Sequence, residues 1–195
     1  SVDDILNRLR TDYLDILLLH RPDTLMEPEE VADAFRTLKA AGKVRHFGVS
    51  NQTPMQIELL NKYLDEPLLI NQLQFSIAHN DSAINRDGGI LEYCRLKDIT
   101  IQAWSPFQYG MFEGVFLGNE KFPELNKVIN ELAEKYNVTD SAIAVAWILR
   151  HPAGIQTIIG TTNKDRIAQI SKASNVHLTR EEWYRLYMAA GNRLP

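Results

Sequence analysis

Apolar and polar positions change their period along the chain in a way that separates helices from strands. After Ser1, VDDILNRLR spaces its apolar residues helically, so a helix is predicted from about Val2 to Arg10 with Ser1 as N-cap. YLDILLL follows, a continuous apolar run too short for a helix, and reads as a buried strand. Pro28 suits a first helical turn, Val31, Ala34, Phe35 and Leu38 recur at helical spacing, and Gly42 supplies the stop. VRHFGVS is the second strand. Thr53 and Gln56 then form a capping pair around Pro54, Ile57, Leu60 and Leu64 supply an apolar face, and LLINQLQF is the third strand.

The alternation continues. A polar stretch from His79 to Gly88 leads to a helix near Gly89 to Lys97, then the strand ITIQAWS, a long loop, and the helices PELNKVINELAEKY and TDSAIAVAWILR. IQTIIG is the fifth strand, followed by a helix from about Lys164 to Ala173 and a last helix capped by Thr179 and Glu182, with Trp183, Leu186 and Tyr187 as its packing face. Short apolar strands alternating with helices predict a parallel sheet covered on both faces, because parallel strands need crossover helices. The class is α/β, and the rhythm fits an open doubly wound sheet and part of a closed barrel equally well, since both use the same right-handed unit. A closed eight-unit barrel typically takes about 250 residues. With 195 residues, the chain is either a complete open sheet or a truncated barrel. No linker divides it, so one domain over residues 1–195 with one core is expected.

Composition narrows the function classes. Hydrophobic residues make up 45% of the chain, enough for a packed core, and the charges of both signs sum to only -4. No basic stripe offers the footprint that nucleic acid or an anionic membrane needs, and no apolar run approaches the ~20 residues of a membrane span. Cys94 is the only cysteine, which excludes an intrachain disulfide framework and a clustered thiolate metal site and fits a reducing compartment, so cytoplasm is the expected location. No histidine-carboxylate spacing points to a metal, and no nucleophile elbow or carboxylate pair appears. The chain opens on a helix without an initiator methionine, and the expectation is that something upstream was processed, cleaved or left out.

In either architecture ligands bind at the C-terminal ends of strands. The polar residues there are His20 with Asp23, Ser50 with Asn51, Gln72 with Gln74, Ser105 with Gln108, and Gly160 followed by Thr161, Thr162 and Asn163. His20 is expected to point out of a buried strand into the space the loops enclose, or else to be a satisfied core or rim histidine. Ser50 and Asn51 suit a tight turn as well as a ligand. Gln72 carries an amide inside a strand of Ile, Leu and Phe and needs a partner. Trp104 is either a core ring or a stacking surface. IIGTTNKDR has no GxGxxG fingerprint, yet its hydroxyls, helix start and Arg166 suit a phosphate as well as an ordinary cap with a solvated charge.

Taken in order, DYLDILLLHRPD, KVRHFGVSN, INQLQFS, WSPFQYG and TIIGTTNKDRI resemble the aldo-keto reductase superfamily over nearly the whole chain. The resemblance implies strands four to eight of a (β/α)8 TIM barrel with the N-terminal strands missing. It also implies NADPH as cofactor, with NADH second, and a small aldehyde or ketone as substrate. By the same resemblance His20 matches the histidine that orients the substrate carbonyl, and Ser50, Asn51 and Gln72 match the trio that holds the nicotinamide carboxamide. Trp104 stands where an aromatic ring stacks on the nicotinamide, Ser105 and Phe107 match pyrophosphate-loop positions, and Thr161, Asn163 and Arg166 fall where the adenosine end is held. Gly160 stands where many members have a phosphate-binding lysine, and Gln169 and Ile170 replace a Glu-Asn pair, so 2'-phosphate preference rests on Arg166.

The family's catalytic tyrosine, lysine and aspartate lie on earlier strands, and no tyrosine here, Tyr13 and Tyr109 included, stands in that motif. The chain alone is therefore expected to turn over negligibly. Five of eight strands would leave two open edges, to be closed by chain elsewhere or by a second copy, and no oligomeric state is assigned. The rival from another class is a reductase-like binding or regulatory subunit with little turnover. A third reading, an open nucleotide-binding sheet, needs strand order rearranged about a switch point. Substrate would meet the loop after His20, the stretch His79 to Gly88 and the loop from Tyr109 to Phe122, whose Tyr109, Phe112 and Phe116 either line an entrance or pack the loop down.

Overall fold

Ser1 opens the first helix as its residue type predicts. In a computed structural model, which describes residues 1–80 and 89–194, its hydroxyl accepts from the Asp4 N–H at 3.3 Å and α1 runs Val2–Leu9, closed by Arg10 in the left-handed conformation. Thr53 with Gln56 and Thr179 with Glu182 form capping boxes as well. Each satisfies backbone donors that a helix start leaves bare, an effect of about 1 kcal/mol.

The chain divides into two compact units, Ser1–Gln72 with Glu92–Thr100, and Leu73–Leu91 with Ile101–Pro195. In the first, β1 (Leu14–Leu19) pairs parallel with β2 (Val44–Ser50) in the register Leu14 to Val44. β2 pairs parallel with β3 (Ile70–Gln74), placing Ser50 beside Gln72. Between them run α2 (Pro28–Ala40) and α3 (Pro54–Asn61), and α4 (Ile90–Leu96) follows. α2 buries Ala32 and Phe35, while Val31 and Leu38 are half-buried and Ala34 is exposed, so its inward face is turned slightly from the one the sequence predicts. Phe35 stacks on Phe47 at 3.8 Å with rings 8° apart, and Val49, Ile57, Leu60 and Leu68 complete the core. Full burial of such side chains stabilises by roughly 1.5–3 kcal/mol each. Cys94 is fully buried, and that burial, offset in part by Asn71, pushes its thiol up to about 11.

The expectation of a buried first strand is corrected. No residue of β1 is fully buried and Ile16 is 38% exposed. β1 stands last in the strand order, so among the described residues one of its two hydrogen-bonding edges has no strand against it. An apolar run predicts the strand, but burial also needs neighbours on both sides.

In the second unit β4 (Thr100–Trp104) pairs parallel with β5 (Gln156–Thr157) through Gln102 to Gln156 and Ala103 to Thr157. β5 is two residues long, shorter than the predicted IQTIIG, although the Ile158 N–H still donates to the Ala103 carbonyl at 2.8 Å. At either end of β3 the chain meets β4: in the first unit the Thr100 N–H donates to the Leu69 carbonyl at 2.8 Å, and in the second the Phe75 N–H donates to the Trp104 carbonyl at 3.2 Å. The strands therefore follow one another in chain order, β1 to β5. A doubly wound sheet reverses its order at a switch point, so that reading is set aside. The fold is α/β, five parallel strands alternating with helices.

α5 (Pro123–Tyr136) and α6 (Asp140–Leu149) pack in the second unit, with every residue from Ala142 to Ile148 buried. α7 (Lys164–Ser171) passes into a 3-10 turn over Lys172–Asn175, which replaces the end of the predicted helix, and α8 (Arg180–Ala189) follows. The indoles of Trp147 and Trp183 stack at 4.6 Å and 9°, and each Nε1–H donates to the other residue's backbone carbonyl, at 3.1 and 3.0 Å.

Glu182 ties α8 to α5. Its carboxylate accepts from Lys135 Nζ at 2.6 Å, the Tyr136 hydroxyl at 2.7 Å and the Thr179 N–H at 2.8 Å. Burial alone would raise this carboxyl, but Lys135, Thr179 and Tyr136 together hold it below its ordinary value. A lowered carboxyl contributes stability above the unfolded glutamate value of about 4.3, and that contribution is lost as pH falls through the lower folded value. Melting curves across that acid range should show a fall in Tm that Glu182→Gln largely removes. An unchanged acid limb in the variant would show that the cluster carries no linkage.

Candidate functional site

Each unit presents its own set of strand-end polar groups. In the first, β2 ends on Ser50, which is 3% exposed, and Asn51 turns into the left-handed region with φ 55°. Asn tolerates that conformation better than most residues because its short amide bonds locally. The Gln72 carbonyl accepts both the Ser50 hydroxyl, at 3.0 Å, and the Asn51 N–H, at 2.9 Å, while Asn51 Nδ2 donates to Ser50 Oγ at 3.0 Å. Three predicted residues are thus brought together, and the turn reading and the ligand reading coexist in one cluster. The Gln72 side chain is half-exposed.

The residue that sequence reasoning missed is Asn71. It is fully buried, and its Nδ2 donates to the Gln52 carbonyl at 2.9 Å, holding the chain just beyond Asn51. In LLINQLQF two amides are adjacent, and strand alternation sends them to opposite faces. The pair itself was the available signal, since a second amide inside an apolar run also needs a partner.

His20 follows β1 and is exposed, because the strand that carries it is itself half-exposed. It does not emerge from a buried strand as expected. Asp23 makes a local turn, its Oδ1 accepting from the Leu25 N–H at 2.9 Å.

In the second unit Trp104 is half-exposed at the end of β4. Ser105 adopts φ 52°, and its carbonyl accepts from the Gln108 N–H at 3.1 Å, closing a tight turn around Phe107. The Phe107 carbonyl takes the Phe116 N–H at 3.0 Å. Tyr109 and the fully buried Phe116 meet Phe122 at 5.1 and 6.5 Å, so they pack the loop down, whereas Phe112 is 88% exposed. His79 to Gly88 lies, apart from His79 and Asn80, outside the described residues.

After β5, Thr161 Oγ1 accepts from the Asn163 N–H at 3.2 Å. Asn163 Oδ1 caps α7 by accepting from the N–H groups of Asp165 and Arg166, each at 3.0 Å. Two helix-start donors are thereby satisfied within the chain, as an ordinary cap requires. Arg166 is exposed and enters no ion pair among the described residues. Gln74 Nε2 on β3 and Thr157 Oγ1 on β5 are buried without a hydrogen-bond partner among the described residues. Buried polar atoms are normally paired, so these strands fit a polar ligand that would supply what the protein does not. Among the described residues no group of three or more His, Cys, Asp or Glu could hold a metal ion, and no helix is long and apolar enough to cross a membrane.

Comparison with known proteins adds three findings. A model described as the aldo/keto reductase family matches residues 1–189. The uncharacterized oxidoreductase YcsN of Bacillus subtilis is 38% identical over 191 residues, covering 97% of this chain and 62% of that protein, and the 6-dehydroglucose reductase of Agrobacterium fabrum is 36% identical, covering 97% and 61%. An aldo/keto reductase from Klebsiella pneumoniae, solved in complex with NADP and acetate, superposes with a TM-score of 0.83 at 26% identity, over all of this chain and 65% of that one. The chain thus spans just under two thirds of the length of these relatives.

Proposed function

This chain belongs to the aldo/keto reductase family, and from that premise we propose that it serves the NADPH-dependent reduction of a small aldehyde or ketone to an alcohol. Its strands β1 to β5 would correspond to strands four to eight of the (β/α)8 barrel. The observation that carries the reading is the Gln72 carbonyl gathering Ser50 and Asn51 at neighbouring strand ends. That arrangement sets Asn51 and Gln72 side by side at the strand ends, and their side-chain amides are of the type that pairs with a carboxamide.

NADPH supplies the hydride, and the protein binds and orients. Ser50 fixes Asn51, and Asn51 and Gln72 bond the nicotinamide amide. Trp104 offers a ring face to the nicotinamide. Ser105 and Phe107 serve the pyrophosphate, and Thr161 and Asn163 the adenosine end. The Arg166 guanidinium answers a 2'-phosphate through a charge-assisted fork. His20 orients the substrate carbonyl. The family's proton-donating tyrosine has no counterpart among these residues, so this chain by itself binds cofactor and turns over negligibly.

Fluorescence titration tests the cofactor assignment. The unsubstituted chain should bind NADPH saturably. Gln72→Leu should weaken it about tenfold, because the side-chain amide is lost while the backbone carbonyl still holds the turn. Arg166→Gln should weaken NADPH about tenfold and NADH little, since only the former carries the extra phosphate. Absence of saturable NADPH binding, or an equal effect of Arg166→Gln on both nucleotides, refutes the assignment. Turnover is best sought first with 6-dehydroglucose, given the name of the Agrobacterium relative. Rates typical of whole reductases would overturn the claim that the chain lacks its proton donor.

A further inference from the structure

The second unit holds a cavity that the cofactor residues do not touch. α6 leads into Arg150 and His151, which precede β5, so this region lies at the start of that strand, while Thr161 and Asn163 follow its end. The cavity has a volume of about 370 Å³, and its lining includes Arg150, His151, Arg180, Trp183, Tyr184 and Tyr187. Its walls are rings: Tyr184, 40% exposed, meets Trp183 edge-on at 5.0 Å and 84°, and meets Tyr187 at 6.4 Å and 89°. Trp183 and Tyr187 stack at 5.5 Å. Such rings are held in place by α8 and by the reciprocal indole bonds of Trp147 and Trp183.

The lining also carries two arginines, Arg150 and Arg180. Arg150 Nε donates to the Leu178 carbonyl at 2.9 Å, which fixes the side chain and leaves its two terminal nitrogens without a hydrogen bond among the described residues. No ion pair of the described residues includes Arg150 or Arg180. Of the neighbouring acids, Glu182 is engaged by Lys135 and Tyr136, and the Glu181 carboxyl is held below its ordinary value first by a backbone hydrogen bond and by Thr179, with the Arg180 charge adding to it. A solvated arginine alone means nothing. Two arginines lining one ring-walled cavity match a ligand that is planar and apolar at one end and anionic at the other.

We propose that this cavity is a second binding site, separate from the cofactor residues, for a small planar aromatic carboxylate. The ring lies among Tyr184, Trp183 and Tyr187, and the carboxylate accepts from Arg150 and Arg180. A site of this chemistry lets an aromatic acid act on α8 without entering the strand ends that serve the nicotinamide.

2-Naphthoate titrated into the full chain tests it, read by the indole N–H resonances in a proton-nitrogen correlation spectrum. The three tryptophans are Trp104, Trp147 and Trp183, so location is read directly. Saturable movement of Trp183 with Trp104 unmoved is expected, with 2-naphthalenemethanol, the neutral analogue, at least about tenfold weaker for want of the charge-assisted bonds. Arg180→Gln should weaken naphthoate roughly three- to tenfold, and it should fold normally because the exposed Arg180 side chain makes no hydrogen bond among the described residues. Tyr184→Ala should weaken it as well, whereas Arg166→Gln should leave it unchanged. The proposal fails if naphthoate does not saturate, if the alcohol binds equally well, if Arg180→Gln has no effect, or if Arg166→Gln removes the binding.

Discussion

Trp147→Ala is expected to lower the free energy of unfolding by about 3–5 kcal/mol, the range for deleting a large buried aromatic side chain. Trp147 is fully buried, stacks on Trp183 and on Phe75, the latter at 5.6 Å, and donates to the Trp183 carbonyl. Alanine would leave a cavity in a helix whose residues from Ala142 to Ile148 are all inward, so little can collapse into the space. It would also strip the Trp183 carbonyl of its donor. Trp147→Phe should restore much of the loss by refilling the volume while still lacking the N–H. Urea denaturation followed by circular dichroism measures both. A loss below about 1.5 kcal/mol for the alanine variant, typical of tolerated swaps, would show that the indole pair is not a structural centre.

Gly48→Ala should be nearly as damaging, at about 3 kcal/mol, the upper part of the range for overpacking. A Cβ built on Gly48 would meet Leu18 Cδ2 at 2.5 Å, the Ile70 carbonyl oxygen at 2.7 Å and Ile70 Cβ at 3.0 Å. The Leu18 methyl can rotate away, but the Ile70 carbonyl belongs to the backbone of β3, paired with β2 at that residue. Relief therefore requires the strands to part. Ser50 is two residues further along β2 and opposite Gln72, so separation would break the cluster proposed to hold the cofactor. Loss of NADPH binding should accompany loss of stability. A variant within about 0.5 kcal/mol of the parent, the scatter of harmless surface changes, would mean that this spacing is not tight.

Local chemistry was legible in the sequence. Ser1, Thr53 and Thr179 cap the helices their residue types predict, because capping depends on the few residues that follow. The grouping of Ser50, Asn51 and Gln72 was legible through its motifs, and the parallel register of β2 and β3 realises it. Properties that depend on neighbours distant in sequence were not. The leucines of β1 look the same in sequence whether or not another strand lies beside them. Asn71 acts through Gln52, nineteen residues away, and its role emerges only once β2 and β3 are paired. The stacking of Trp147 on Trp183 joins two helices whose periodicity reports an apolar face but not which rings meet.

β1 has a bearing on how the chain behaves in a crowded tube. A six-residue ribbon in which five positions are Leu or Ile, with one margin unpaired among the described residues, is the kind of segment that templates fibrils. Asp15 is its sole charge, tethered to Arg45 at 3.0 Å, and acts as the gatekeeper against that fate. Efforts to improve yield or shelf life should leave Asp15 in place and add a second charge beside it.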